Sequence, residues 1–144
     1  MQYRQATKAD LTEIEELLKD NNLPFSDCSE HIDNFILKEE KNKIIGIGCI
    51  EIYGRNGLIR SMVVAKNYRR SGVAKEILRT LKEKAFDSGV TDIYLLTETA
   101  IEYFKTVGFK ALDRDDAPDS IKNTKQFNAI CPSSAVVMYS KIKH

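Results

Sequence analysis

Tryptophan is absent from this 144-residue chain, histidine occurs twice, and cysteine and proline occur three times each. The cysteines, Cys28, Cys49 and Cys131, are odd in number, far apart and without metal-ligand spacing. A disulfide framework or a cysteine-held metal is therefore not expected. The histidines, His31 and the terminal His144, add no ligand pattern, and no metal is expected. No apolar run approaches the roughly 20 residues that a membrane helix needs. Met1-Gln2-Tyr3-Arg4-Gln5 lacks the apolar stretch of a secretory signal, so residence in a reducing cytoplasm is the expectation. An excess of one charge is missing too: 22 basic residues face 21 acidic ones, leaving a net +1. Without a basic face, neither nucleic acid nor an anionic membrane is an expected partner.

What is present suits an ordinary globular domain, with 42% hydrophobic and 30% charged residues. A chain near this length buries roughly 68–70% of its unfolded surface, enough for a core without staples. No repeat, low-complexity tract or linker divides it, so one domain over residues 1–144 is expected.

Tyr3–Ala6 reads as a strand, followed by Thr7-Lys8-Ala9-Asp10, a helix start with Thr7 as N-cap and Asp10 in the capping-box position. Leu11, Ile14, Leu17 and Leu18 form one helical stripe, which Asn21-Asn22-Leu23-Pro24 ends. Phe35-Ile36-Leu37 and Ile44–Tyr53 flank a charged reversal and read as a hairpin. Gly54-Arg55-Asn56-Gly57 makes the next turn, and Leu58–Ala65 the third long strand. Ala74, Ile77, Leu78, Leu81 and Ala85 then follow a 3.6-residue period until Ser88-Gly89, a left-handed cap. Asp92–Leu96 reads as a buried strand, Thr99–Val107 as a helix, and Gly108-Phe109 as the start of a strand. Residues 113–126 are polar with a helical turn at Pro118-Asp119, and Ser134–Ile142 closes the chain as a strand. Hairpins followed by a βαβα unit imply an α/β fold: a mixed sheet with helices on both faces.

The turn between strand and helix, Lys66 to Lys75, carries the chemistry. A helix N-terminus presents unpaired N–H groups and partial positive charge. Gly72 and Ala74 leave those amides accessible, while Arg69 and Arg70 add charge suited to phosphate. A solvated basic turn, with Gly72 only relieving strain, is the plain alternative. A Walker loop is set aside for want of its second glycine and Lys-Ser/Thr pair, and a Rossmann fingerprint because only one glycine is present.

Arg69-x-x-Gly72-x-Ala74 resembles the Q/R-x-x-G-x-G/A motif of the GCN5-related N-acetyltransferases (GNAT). Ala100-x-x-Tyr103-Phe104-x-x-x-Gly108-Phe109 is similar to that family's second cofactor segment. The resemblance covers essentially the whole chain. It implies a mostly antiparallel mixed sheet of six to seven strands in which one parallel pair splays apart. It also implies acetyl-CoA as cosubstrate, with the amides of Arg70, Ser71, Gly72, Val73, Ala74 and Lys75 on the pyrophosphate. Met62, Val63 and Val64 would pair with the pantetheine arm, and Thr97 and Phe104 would lie on the cofactor. The amine would attack the thioester directly, with a backbone amide such as that of Val63 polarising the carbonyl.

One part of the pattern is missing. The family's usual acid is a tyrosine four residues before the helix-ending glycine, which here is Phe104. Tyr103 is adjacent but rotated by about 100° on a helix, so it is expected to face elsewhere. For the base, Glu51, Glu98, Asp27 and His31 qualify by residue type, and each also reads as an ordinary surface charge.

Three further strings resemble the arsenic-resistance (ArsN-like) acetyltransferases: Leu58–Val64, Leu95–Ala100, and Gln126-Phe127 with Cys131–Ala135. They imply a small amino-acid-like amine as acceptor, such as an arsenic- or phosphorus-containing glutamate analogue, and a homodimer is compatible. Arg60, Phe25, Asp27 and Ser134 are the candidate acceptor residues. Arg60 shares the period-2 face of Met62, where a guanidinium could pair with an oxyanion or form a structural salt bridge. Phe25, Leu23 and the loop to His31 could serve as a lid or as a hydrophobic plug.

Overall fold

The computed structural model describes residues 3–23, 25–98, 100–124, 127 and 135–142. Its strands are β1 (Tyr3–Gln5), β2 (Phe35–Glu40), β3 (Lys43–Tyr53), β4 (Asn56–Val64), β5 (Asp92–Thr97), β6 (Lys110–Leu112) and β7 (Val136–Lys141). Its helices are α1 (Leu11–Asp20), α2 (Val73–Asp87), α3 (Ile101–Thr106) and α4 (Asp119–Lys122). The strands form one mixed sheet in the order β1-β2-β3-β4-β5-β7-β6. β4 and β5 are the parallel pair, registered from Asn56 opposite Asp92 to Ile59 opposite Leu95. β4 runs on to Val64 and β5 to Thr97. The chain divides into two compact units, Met1–Glu51 with Ser61–Glu83, and Ile52–Arg60 with Lys84–His144.

In the first unit, β2 and β3 turn on Lys41 and Asn42, both left-handed at φ 53° and 63°. That is the two-residue turn whose twist matches a hairpin, so both strands extend further than the charged reversal suggests. Alternation along β3 sends Ile47 and Cys49 into a core with Ile14 and Leu18 of α1, Phe35, Leu37 and Val63. The opposite face carries Gly46 and Gly48 under α2. A Cβ on Gly48 would lie 2.6 Å from Ile77 Cγ2 and 2.9 Å from Leu81 Cδ1; one on Gly46 would lie 2.8 Å from Ile77 Cδ1. Helices therefore cover both faces here. The segment after α1, open between a loop and a short helix in the sequence, is a 3-10 turn, Cys28–Asn34, with Cys28 and Ile32 in the core.

The end of α1 has a different cause from the one expected. Asn22 is left-handed at φ 58°, its N–H donates to Lys19 O at 3.1 Å, and that of Leu23 to Leu18 O at 3.0 Å. This is a Schellman cap built on asparagine; Pro24 lies outside the described residues. Gly89, at φ 85°, closes α2 as expected, with Val90 N–H on Ala85 O at 2.9 Å.

In the second unit, β4 begins two residues before the expected Leu58. Gly54 and Arg55 suffice for the reversal, because Arg55 O accepts the N–H groups of Thr91 (2.9 Å) and Asp92 (3.2 Å) and so draws Asn56 and Gly57 into the parallel ladder. Leu58, Tyr94, Val137, Ala117, Ile121 and Phe127 make its core. The polar stretch thus contributes Ile121, fully buried on the helical turn expected at Pro118-Asp119. Thr99, Gln126, Cys131 and Ser134, on which parts of the expectation rested, lie outside the described residues; β7 itself is Val136–Lys141.

One correction concerns β4. Ser61 sits at φ 59°, so the strand's alternation is interrupted between Arg60 and Met62. Placing those two side chains on one face by period 2 has lost its premise.

Two predictions follow from the packing. Gly48→Ala should cost about 1–3 kcal/mol, because the stiff β-branched Ile77 cannot swing its Cγ2 aside. Denaturant unfolding of Gly48→Ala, Ile77→Ala and the double variant should give a double-variant loss smaller than the sum. Separately, hydrogen bonds from Arg4 (both 2.9 Å), against an opposing burial effect and helped by the Thr7 N–H, hold the Asp10 carboxyl down to about 2. A carboxyl depressed in the folded state stabilises above its unfolded value and loses that contribution as pH falls from about 4 to about 2. Asp10→Asn should therefore lower stability at pH 7 by about 1 kcal/mol, a value reduced by solvent screening, and the loss should shrink as pH falls through the folded value of about 2.

Candidate functional site

The turn from β4 into α2 is built entirely within the first unit. Ala65 N–H donates to Ile45 O at 2.8 Å, extending the grip on β3 past the end of the strand. A 3-10 turn over Lys66–Tyr68 follows, with Tyr68 N–H on Ala65 O at 2.8 Å. Arg70 then takes φ 64° and Gly72 φ 89°, and α2 starts at Val73 with Glu76 N–H on Gly72 O at 3.1 Å. Left-handed residues alternating with ordinary ones turn successive N–H groups inward to make an anion-binding concavity. Here that concavity meets the unpaired amides and positive end of a 15-residue helix. A Cβ on Gly72 would find nothing within 4 Å, so the space over the turn is open. Arg70, Ser71, Gly72 and Lys75 are exposed, Ala74 is half-buried, and Val73 is buried as an anchor. The residues present fit a phosphate-bearing ligand.

Two side chains of the motif serve the turn itself. The Ser71 hydroxyl donates to Tyr68 O. Arg69, expected on the ligand, donates from Nε to Val64 O at 2.9 Å and from a terminal nitrogen to Asn21 Oδ1 at 2.8 Å. Its guanidinium thus braces the turn. Val63 is in the core, while Met62 and Val64 are half-buried.

A second group in the same unit was not legible as a group. His31 Nε2 lies 3.6 Å from Glu51 Oε2 and 3.8 Å from Asp27 Oδ2. Asp27 and Glu51 are buried, at 5% and 3% exposure, which overturns their reading as surface charges. Asp27 precedes the 3-10 turn and Glu51 lies on β3, so the fold of the first unit places two carboxylates beside one imidazole. Phe25 is 37% exposed, while Leu23 packs on the core.

The remaining candidates belong to the second unit. Arg60 is buried at 4% exposure and engaged by a partner. Thr97 Oγ1 accepts the Ala100 N–H at 3.0 Å at the entry to α3, and Glu98 is exposed. Phe104 is buried, with Phe109 edge-on at 5.6 Å. Tyr103 is 37% exposed, and burial pushes its hydroxyl up from the ordinary value. The acid position thus holds an apolar ring, with the neighbouring phenol on the surface. Ser134 lies outside the described residues.

A family model described as the acetyltransferase (GNAT) family matches residues 2–109. An uncharacterized N-acetyltransferase of Chlorobaculum tepidum is 27% identical over 93 residues, 64% of this chain and 59% of that protein. An amino-acid acetyltransferase of Escherichia coli is 28% identical over 95 residues, 63% of this chain and 21% of that protein. N-acetylglutamate synthase from Neisseria gonorrhoeae, complexed with coenzyme A and N-acetyl-glutamate, has a TM-score of 0.86 at 18% identity, covering 99% of this chain and 35% of that one. Rv2747 from Mycobacterium tuberculosis, in complex with CoA and NLQ, has a TM-score of 0.82 at 16% identity, covering 99% and 100%. These structural likenesses concern the fold. The chain spans less than two thirds of the Chlorobaculum relative and about a third of the synthase.

Because φ at Gly72 is positive while the space beside it is open, Gly72→Ala should cost about 1 kcal/mol through backbone strain alone. Gly72→Asn, which tolerates the left-handed region better, should lose less in the same thermal or denaturant melt.

Proposed function

Since this chain belongs to the acetyltransferase (GNAT) family, we propose that it transfers the acetyl group of acetyl-coenzyme A to the amine of a small amino-acid-like molecule. The observation that carries the reading is the Arg70–Gly72 concavity at the open N-terminus of α2. Backbone amides from Arg70 to Lys75 would hold the pyrophosphate, and Met62, Val63 and Val64 would receive the pantetheine arm. The amine nitrogen adds to the thioester carbonyl, the carbon–sulfur bond breaks, and the coenzyme leaves as thiolate. A thiol with a pKa of about 8.5 in free solution leaves readily near neutral pH, so an acid at Phe104 is dispensable. Glu51 and His31, with Asp27, take the proton from the amine in this reading.

The amino-acid class of acceptor is supported by the Escherichia coli relative, whose name is amino-acid acetyltransferase. The strings Leu58–Val64 and Leu95–Ala100 favour, within that class, an arsenic- or phosphorus-containing glutamate analogue. Arg60 would meet its oxyanion, the chemistry a guanidinium fork suits. Phe25, Asp27 and Ser134 would complete the acceptor contacts, and Thr97 and Phe104 would lie along the donor. One domain over 1–144, cytoplasmic residence and a homodimer belong to the same reading. Phe104 favours one second reading, a module that binds acetyl-coenzyme A without catalysing transfer.

Thiol release from acetyl-coenzyme A should be followed with glutamate-like amines bearing carboxylate, phosphinate or arsonate groups, and with peptides, polyamines and aminoglycosides. Release confined to the first set is expected; binding without release across the panel selects the module. Tyr103→Phe should keep wild-type turnover, Glu51→Gln should lose about 100-fold in kcat, and Arg60→Ala should raise KM for the acceptor alone. A large loss in folded Tyr103→Phe would sink the acid-free mechanism.

A further inference from the structure

The Arg69 guanidinium joins two elements far apart in sequence. Through Nε it holds Val64 O, the last carbonyl of β4, and through a terminal nitrogen it holds Asn21 Oδ1, at the C-cap of α1. Asn21 is itself fixed on both sides: its Nδ2 donates to Leu17 O at 2.8 Å, and its backbone N–H donates to Leu18 O at 3.1 Å. The carboxamide therefore faces Arg69 with its oxygen while its nitrogen is tied to the helix. An ammonium or carboxylate could not make both bonds, because one lacks an acceptor and the other a donor.

We propose that Asn21 is a positioning residue for the donor-binding turn, acting through Arg69. Arg70 and Gly72 are both held left-handed, and at Arg70 that conformation carries a steric cost that the surroundings must offset. The turn's own bonds, Tyr68 N–H on Ala65 O and the Ser71 hydroxyl on Tyr68 O, close it locally but do not attach it to another element. Arg69, immediately before the strained pair, attaches it to β4 and α1 together. A charge-assisted bond of this kind is stronger than a neutral one and fixes direction. Asn21 is also followed, through left-handed Asn22, by the segment carrying Phe25, Asp27 and His31.

The proposal rests on the donor assignment given above, and the test separates the two. Asn21→Ala removes both carboxamide bonds, whereas Asn21→Asp keeps an oxygen for Arg69 and loses only the donation to Leu17. Amide exchange at Tyr68 and Glu76, in protein without ligand, reads the turn directly; calorimetric titration with coenzyme A reads its use. In Asn21→Ala and Arg69→Ala, exchange at both amides should rise about fivefold and coenzyme A should bind about fivefold more weakly. The double variant should be no worse than Arg69→Ala, and Asn21→Asp should stay within twofold of wild type on both readouts. KM for acetyl-coenzyme A should follow the affinity while kcat holds. Unchanged exchange and affinity in folded Asn21→Ala, or an equal loss in Asn21→Asp, overturns the proposal. Wild-type protein that fails to bind coenzyme A rejects the donor assignment, and with it any role for Asn21 in the reaction, whatever the exchange shows.

Discussion

Helix α2 lies on β3 where Gly46 and Gly48 present only hydrogen, and this close approach sets much of the first unit. Ile77 and Leu81 fill the space that side chains on β3 would otherwise take, each gaining about 1.5–3 kcal/mol from burial. With the helix body held there, its N-terminus has one position relative to the end of β4, and the connection between them must reverse within a few residues. Left-handed backbone at Arg70 and Gly72 is how the chain makes that reversal. The concavity that fits a phosphate is thus a product of helix–sheet packing as much as of the motif residues themselves.

The two chemical groups of the first unit are made differently. The turn works with backbone, so its exposed side chains can vary in role: Arg69 braces, Ser71 closes, and Arg70 and Lys75 contribute charge. The His31 group works with side chains held by burial. Asp27 and Glu51 are removed from water yet keep partners, and His31 stands between them with part of its ring exposed.

Element type and order were legible from period and punctuation: the α1 and α2 stripes and the Gly89 cap occur as read, and the β2–β3 hairpin occurs with longer strands. The mixed sheet was legible from the βαβα order, and the splayed parallel pair through the family resemblance. What escaped the sequence has specific causes. Asn22 ends α1 with a conformation that any reader would assign to Pro24 two residues later. Ser61 gives no warning of a positive φ, since serine is a common strand residue, and its bend spoils the counting of faces along β4. Asp27 sits in a stretch where no hydrophobic period says which charges turn inward, whereas Glu51 continues the period of Ile47 and Cys49 on β3, a signal hidden by its charge. The bond from Arg69 to Asn21 joins residues 48 apart, and no local pattern carries such a pairing.

The sheet begins and ends on strands of three residues, β1 and β6. A strand that short offers an incoming chain few unpaired N–H and C=O groups to template on. On β1, the charged Arg4 is moreover tied to Asp10 and Glu39, which keeps a cation fixed along that rim. Open-ended stacking of copies edge to edge is therefore discouraged at both described margins.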